Sequence, residues 1–274
     1  MKLNNIELSF DNFASEMAKL KNEKHFDYLV TIIGEDFGEE GLGCIYILEN
    51  TQTNERCSVK TIAKKVDGSD VIPTVINLWK VADLLEREVF DFVGIKFLGH
   101  PDMRRLFLRT DFQGYPLRKD FDMSPDANKF PCTDEPEDDF TMEYSLSEDG
   151  HLVATEKRRF DEDEYVVNIG PNHPSTHGVL RLQTVIDGET VKRIYPHLGY
   201  IHRGIEKMWE SMTYPQTLAL TDRLNYLSAM MHRHALVGVI EEAMGVELSD
   251  RIRYIRTIMD ELQRIDSHLL YLGC

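Results

Sequence analysis

The sequence predicts an α+β protein. A small N-terminal α/β domain is expected over residues 1–121, an acidic linker over 122–163, and over 164–274 a domain whose β-hairpin leads into a helical bundle. Three observations carry this reading. Short apolar runs separated by glycine-rich punctuation fill the first third of the chain. A proline- and acid-rich stretch with little apolar periodicity follows. Beyond it, one alternating hairpin pattern gives way to long stripes of helical period.

Residues 1–24 read as a short amphipathic helix, with Phe13, Met17 and Leu20 at helical spacing. Three strand-like runs follow, 27–33, 44–48 and 57–62, separated as hairpin turns would separate them. Pro73 stands near the start of a helical pattern carrying Val75, Leu78, Ala82, Leu85 and Val89 on one face, and Gly94 is its natural stop. The stretch 122–163 contains Asp122-Met123-Ser124-Pro125-Asp126-Ala127 and Asp134-Glu135-Pro136-Glu137-Asp138-Asp139. Its apolar content is too low to offset the entropy of ordering, so it reads as a linker lying over a surface. Leu180, Leu182, Thr184 and Ile186 then alternate, Asp187-Gly188 supplies a turn, and residues 190–195 return. A helix is expected from Asp222 to Met244 with Gly245 as a left-handed stop. Another starts after Ser249, a good N-cap, and carries Ile252, Ile255, Ile258, Met259, Leu262, Ile265, Leu269 and Leu272 in a stripe.

At 274 residues the chain has room for two domains, and its 42% hydrophobic and 28% charged content is that of a globular protein. A formal charge of −16 argues against a nucleic-acid partner and against direct anchoring on anionic lipid. No signal peptide is visible, and the best apolar stretch, Leu218 to Ile240, is interrupted by Asp222, Arg223, Arg233 and two histidines, too polar to span a bilayer. The expectation is a cytosolic chain that meets a membrane only through other proteins. Cys44, Cys57, Cys132 and Cys274 lack the spacing of a zinc or iron–sulfur site and read as reduced thiols.

Several groups of residues have the chemistry for a site. The loop from Gly170 to Gly178 carries His173 and His177 along with two prolines. Such a loop can present an imidazole to a ligand, although residue type alone favours a structural turn. Arg223 and Tyr226, three apart on the expected helix, would share a face. His232 and His234 are two apart and cannot share a metal on a helix. Arg264 and His268 are placed to pair with acidic residues of a neighbour. In the first domain Glu86, Arg87, Glu88, Asp91, His100, Arg104 and Arg105 form a dense polar set without a nucleophile or metal pattern.

Two longer stretches carry a resemblance. The first runs from Trp79 to Arg105, including Glu86-Arg87-Glu88-Val89-Phe90-Asp91 and Gly99-His100-Pro101-Asp102-Met103-Arg104-Arg105; the second is Asn168-Ile169-Gly170-Pro171-Asn172-His173-Pro174-Ser175-Thr176-His177-Gly178 through Leu182. They resemble the signatures of the C and D subunits of respiratory NADH:quinone oxidoreductase, complex I. Their order on one polypeptide resembles the fused C/D subunit of some bacteria, here ending within the D part. The resemblance runs roughly from Phe26 to the end.

The resemblance implies a peripheral-arm subunit that forms part of the quinone-reduction pocket. The matching histidine, His177, would lie near the quinone head group, and His173 would be structural. The tyrosine matching Tyr226 would hydrogen-bond the quinone carbonyl. Arg223 would sit beside the terminal iron–sulfur cluster held by the neighbouring B subunit. Flavin mononucleotide and iron–sulfur clusters would reside on partner subunits, with no metal or cofactor on this chain. Membrane subunits would couple electron transfer to ion translocation, and the chain would sit on the cytoplasmic side of the cell membrane, inactive alone. The D subunit is in turn related to the large subunit of nickel–iron hydrogenases, which share a pattern like His202-Arg203-Gly204-Ile205-Glu206-Lys207. Where those enzymes read Arg-x-Cys-x-x-Cys, this chain has Arg223-Leu224-Asn225-Tyr226-Leu227-Ser228. An amide and a neutral hydroxyl are poor ligands for nickel, which argues against the alternative of an energy-converting hydrogenase. A non-catalytic assembly scaffold is the other alternative.

Overall fold

The computed structural model describes residues 4–124, 140–147, 151–158, 160, 164–173 and 178–273. The chain divides into two compact units: Met1–Val167 with Thr184–Ile194, and Asn168–Gln183 with Tyr195–Cys274.

The first unit is built on a four-stranded sheet. Its strands are β1 (Asn4–Leu8), β2 (Tyr28–Asp36), β3 (Leu42–Asn50) and β4 (Glu55–Ile62), in the order β1-β4-β3-β2. The helix α1 (Phe10–Asn22) follows β1. The expected helix over 1–24 is therefore split. Ile6 and Leu8 alternate along β1, which pairs in parallel with β4 from Asn4↔Cys57 to Leu8↔Thr61. Ser9 is extended at φ −74°, ψ 152°, so the helix begins only after it. Phe13 and Met17 are fully buried, and the Phe13 ring lies 5.1 Å from that of Tyr46 on β3. The inner sheet face places Cys44, Tyr46, Leu48, Cys57 and Val59 in the core. A register shift between Leu29 and Thr31 lets both Leu29 and Ile32 turn inward despite their odd spacing. Cys44 and Cys57 are free and buried; burial pushes the Cys57 thiol up to about 11.

A second small sheet, ordered β5-β6-β7, comprises β5 (Lys64–Val66), β6 (Ser69–Pro73) and β7 (Lys96–Leu98). Here the sequence expectation of a helix beginning near Pro73 is corrected. Pro73 closes β6, opposite Leu98 in a parallel pair, and α2 spans only Ala82–Val93. Proline tolerates the end of a strand as well as the first helical turn, and the β-branched Val71-Ile72 before it favour the strand. Gly94 ends α2 as expected, at φ 82°, with its N–H bonded to the carbonyls of Val89 and Phe90. The α2 face carrying Val89 and Val93 closes on Gly34 of β2, where a Cβ would stand 2.6 Å from Val89 Cγ1. Within the stretch read as linker, β8 (Phe140–Leu146) and β9 (Leu152–Arg158) form an antiparallel hairpin in register from Phe140↔Arg158 to Leu146↔Leu152.

Further along, β10 (Tyr165–Ile169) is followed by the short pair β11 (Asn172–His173) and β12 (Gly178–Val179). The predicted hairpin appears as β13 (Arg181–Asp187) and β14 (Thr190–His197), in a sheet ordered β10-β13-β14, with Gly188 at φ 61° in the turn. In the second unit, α3 (Ile205–Trp209) and α4 (Tyr214–Thr217) are short; a Thr213/Gln216 capping box opens α4. Two long helices follow, α5 (Ala229–Met244), stopped by Gly245 at φ 66°, and α6 (Asp250–Gly273). The apolar stripe on α6 is exposed, from 39% at Met259 to 78% at Leu272.

The Gly34 contact predicts a specific cost. Gly34→Ala forces α2 off β2 and is expected to lower stability by about 1–3 kcal/mol, with part of the loss recovered by adding Val89→Ala. Urea unfolding of the single and double variants measures both effects.

Candidate functional site

The expected helix from Asp222 to Met244 is broken near its start. Thr221–Arg223 and Tyr226–Ser228 are separate single 3₁₀ turns, and α5 begins at Ala229. The cause is Asn225. Its backbone is extended at φ −153°, ψ 106°, and its side-chain oxygen accepts the Leu227 N–H at 3.1 Å, capping the second turn. Arg223 and Tyr226 therefore do not share one helix face, which corrects the sequence expectation. Tyr226 is 60% exposed. Arg223 is also outward, with its guanidinium 3.8 Å from Asp222, whose carboxylate takes the stronger contact from Arg233 at 2.7 Å.

This segment is held against α6. Gln263 donates to the Leu227 carbonyl at 3.4 Å, His234 Nδ1 lies 2.6 Å from Asp260, and Arg256 makes two 2.7 Å bonds to Glu241. Arg264 pairs with Glu261 of its own helix at 2.9 Å. His177 lies outside the described residues. His173 contributes its backbone to the short ladder, paired with Gly178. Among the described residues, no group of three or more His, Cys, Asp or Glu is arranged to hold a metal ion, and no helix is long and apolar enough to cross a membrane.

The polar set of the first unit is a connected buried network. Asp91 is fully buried on α2. Its Oδ2 accepts three successive backbone N–H groups, from Leu106, Phe107 and Leu108 at 2.7–3.1 Å, and its Oδ1 takes Arg105 Nη1 at 2.8 Å. Arg105 also donates to the carbonyls of Asp91, Phe112 and Gly114. Arg87 donates to the carbonyls of Arg104 and Arg105. Asp102 is gripped through two bonds by Arg104 at 2.9–3.0 Å. Burial pushes its carboxyl up, but the Arg104 bonds and the Arg87 charge outweigh this and hold it below the usual range. Tyr144 of β8 reaches the same carboxylate, its hydroxyl 3.3 Å from Asp102 Oδ2; burial pushes that phenol well up. Sequence reasoning missed Asp102 and Tyr144 as members.

Residues 6–127 match the family model described as the 30 kDa subunit of respiratory-chain NADH dehydrogenase. Over 269 residues, 98% of this chain, it is 55% identical to a protein of Phocaeicola vulgatus named as the C/D subunit of NADH-quinone oxidoreductase, covering 51% of that protein. The chain is a homologue of the NADH-quinone oxidoreductase C/D subunits. An Aquifex aeolicus protein, named as a second C/D subunit of the same enzyme, is 40% identical over 281 residues, 97% of this chain and 47% of that protein. The chain thus spans about half the length of the curated C/D relatives it matches. A solved trypsin-resistant fragment of Nqo5 is 32% identical, covering 36% of this chain and 80% of that one at a TM-score of 0.33. The Asp91–Arg105 pair and its backbone donors lie within the matched 30 kDa region, residues 6–127.

Asp91→Asn is expected to leave Arg105 buried without its charge partner and to cost about 3–5 kcal/mol. The thermal unfolding transition of the full chain measures this; a shift no larger than that of an exposed Asp→Asn control would show the pair to be dispensable.

Proposed function

We propose that this chain is part of the peripheral arm of an NADH-quinone oxidoreductase and contributes to its quinone-reduction pocket, beside an iron–sulfur cluster held by a partner B subunit. The observation that carries the reading is the 55% identity to a named C/D subunit across 98% of the chain. The exposed phenol of Tyr226, on a turn fixed by Asn225, supports it locally.

In this reading Tyr226 donates a hydrogen bond to a quinone carbonyl oxygen. That bond strengthens as negative charge develops on the oxygen during reduction, so the donor favours the reduced state over the ground state. His177 supplies a second donor whose imidazole can exchange a proton near neutral pH. Arg223 places positive charge toward the neighbouring cluster and favours its reduced form. Electrons arrive through flavin and clusters on partner subunits, and membrane subunits couple the reaction to ion movement. This chain's own contribution is to orient the head group and deliver protons. The whole assembly docks on the cytoplasmic face of the membrane through those partners. The division into residues 1–121, 122–163 and 164–274 is part of the same proposal.

Two measurements test it. In the complete protein within its complex, Tyr226→Phe and His177→Ala are each expected to depress NADH:quinone activity, since losing one donor to developing charge costs about 2.7–4 kcal/mol of barrier. NADH:ferricyanide activity should persist, because that acceptor takes electrons upstream, and neutralising Asp138 and Asp139 should leave both activities near normal. Wild-type quinone kinetics in both site variants would make the chain a scaffold. For the domain division, limited proteolysis of the chain should cut first within 122–163 and leave a fragment ending near Phe121; first cuts within 27–110 would refute the boundaries.

A further inference from the structure

Glu86 on α2 is fully buried, and its contacts are a backbone N–H, a hydroxyl and an imidazole rather than an arginine or lysine. Its Oε1 accepts the Val75 N–H at 2.8 Å, and its Oε2 lies 2.6 Å from the Thr74 hydroxyl, which also accepts the Ile76 N–H at 3.2 Å. The His100 imidazole, itself fully buried, stands 3.9 Å from Oε2. The charge state of that imidazole follows from its other contacts. His100 Nδ1 accepts the Asp102 N–H at 3.0 Å, so that nitrogen carries a lone pair and no proton. Nε2 holds the single proton and directs it toward Asp83, whose carbonyl lies at 3.3 Å and carboxylate at 3.4 Å.

We propose that Glu86 is a buried proton-exchanging site, built into the joint between β6 and α2, that tightens the first unit as pH falls through neutrality. The titratable groups facing it are Asp83 on its own helix, His100 on the loop after β7, and Cys44 and Tyr46 on β3. Burial keeps the thiol and the phenol neutral, and Asp83 repels a second negative charge. Burial pushes the Glu86 carboxyl from its ordinary 4.5 up to about 7, against the bonds from Thr74 and Val75. The site can take its proton without opening. When Oε2 gains a hydrogen, it donates to Thr74 Oγ1, which accepts it beside the Ile76 N–H, and the Val75 N–H keeps its partner on Oε1.

The sign of the effect is opposite to ordinary acid denaturation. A carboxyl whose folded pKa lies above its unfolded value stabilises the fold fully below the unfolded value, and that contribution is lost as pH rises through the folded one. With about 7 against 4.5, the window is pH 4.5–7 and just above. The folding equilibrium of the full chain is therefore expected to be about tenfold more favourable at pH 6 than at pH 8, relative to Glu86→Gln measured in the same buffers. Urea unfolding reads this ratio. An infrared difference between wild type and Glu86→Gln should show a protonated-carboxyl stretch that disappears with a midpoint near neutral pH. Should Glu86→Gln fail to fold, wild-type chain labelled at glutamate carboxyl carbon and imidazole nitrogen answers alone. One glutamate titrating near neutrality beside a neutral Nε2–H imidazole supports the site. All glutamates titrating below about pH 5.5, outside the range a desolvated carboxyl reaches, or an imidazolium at His100 at neutral pH, overturns it.

Discussion

The first unit depends on one carboxylate more than on any other polar group. Asp91 gathers three consecutive backbone N–H groups and one guanidinium, and by doing so ties the segment 105–108 to the interior end of α2. Successive N–H groups pointing at one oxygen form an anion cradle, and a buried carboxylate so fully engaged is among the strongest local constraints a chain can hold. Arg105 then spends its remaining donors on the carbonyls of Phe112 and Gly114 and lies over the rings of Phe112 and Tyr115. The irregular stretch from 99 to 121, which contains no regular element, is organised outward from that pair. Gly94 completes the arrangement: a Cβ there would strike the Tyr115 ring and Arg118 at 2.6–2.7 Å, so the left-handed stop of α2 also lets this stretch close.

Two fully buried carboxylates on one helix are compensated by different partners. Asp91 and Glu86 both have no exposed surface. Asp91 has a cation and three N–H donors. Glu86 has one N–H, one hydroxyl and an imidazole, and burial pushes its carboxyl up to about 7. The two carboxylates thus differ in what compensates their burial. Replacing one environment by the other would take little more than an arginine within reach of Glu86.

Much of the fold was legible because its signals are local. Alternation placed β2, β3, β4, β13 and β14, and the glycines at 94 and 245 ended their helices in the left-handed conformation that glycine adopts cheaply. The misses were tertiary. β1 is an edge strand of five residues whose pattern is too short to outweigh the helix beside it, and it exists because β4 offers it a parallel partner. The residues after Pro73 have helical spacing, yet Glu86 captures Thr74 and Val75 from twelve and eleven positions away and delays the helix to Ala82. β8 and β9 pair within a stretch whose composition suggested no strand, and the Tyr144 hydroxyl of β8 finds Asp102 far away in sequence. At the candidate site, residue types were readable and geometry was not. Tyr226 could be named from its motif, but the turn that orients it depends on a side-chain cap no periodicity reveals.

That cap also bears on how the segment 223–228 can be used. In the hydrogenase-like pattern two positions of this stretch carry thiolates. Here the first of them, Asn225, commits its side-chain oxygen to the Leu227 N–H, which breaks the helix between Arg223 and Tyr226. A thiolate at that position would be a weaker cap and would leave the N–H to other partners. The cap fixes the backbone ahead of Tyr226 and leaves that residue 60% exposed, and Gln263 of α6 holds the same turn through the Leu227 carbonyl. The turn is thus constrained through the Leu227 N–H by a side-chain cap and through the Leu227 carbonyl by a helix contact, both supplied by neutral amides, so its geometry does not depend on charge.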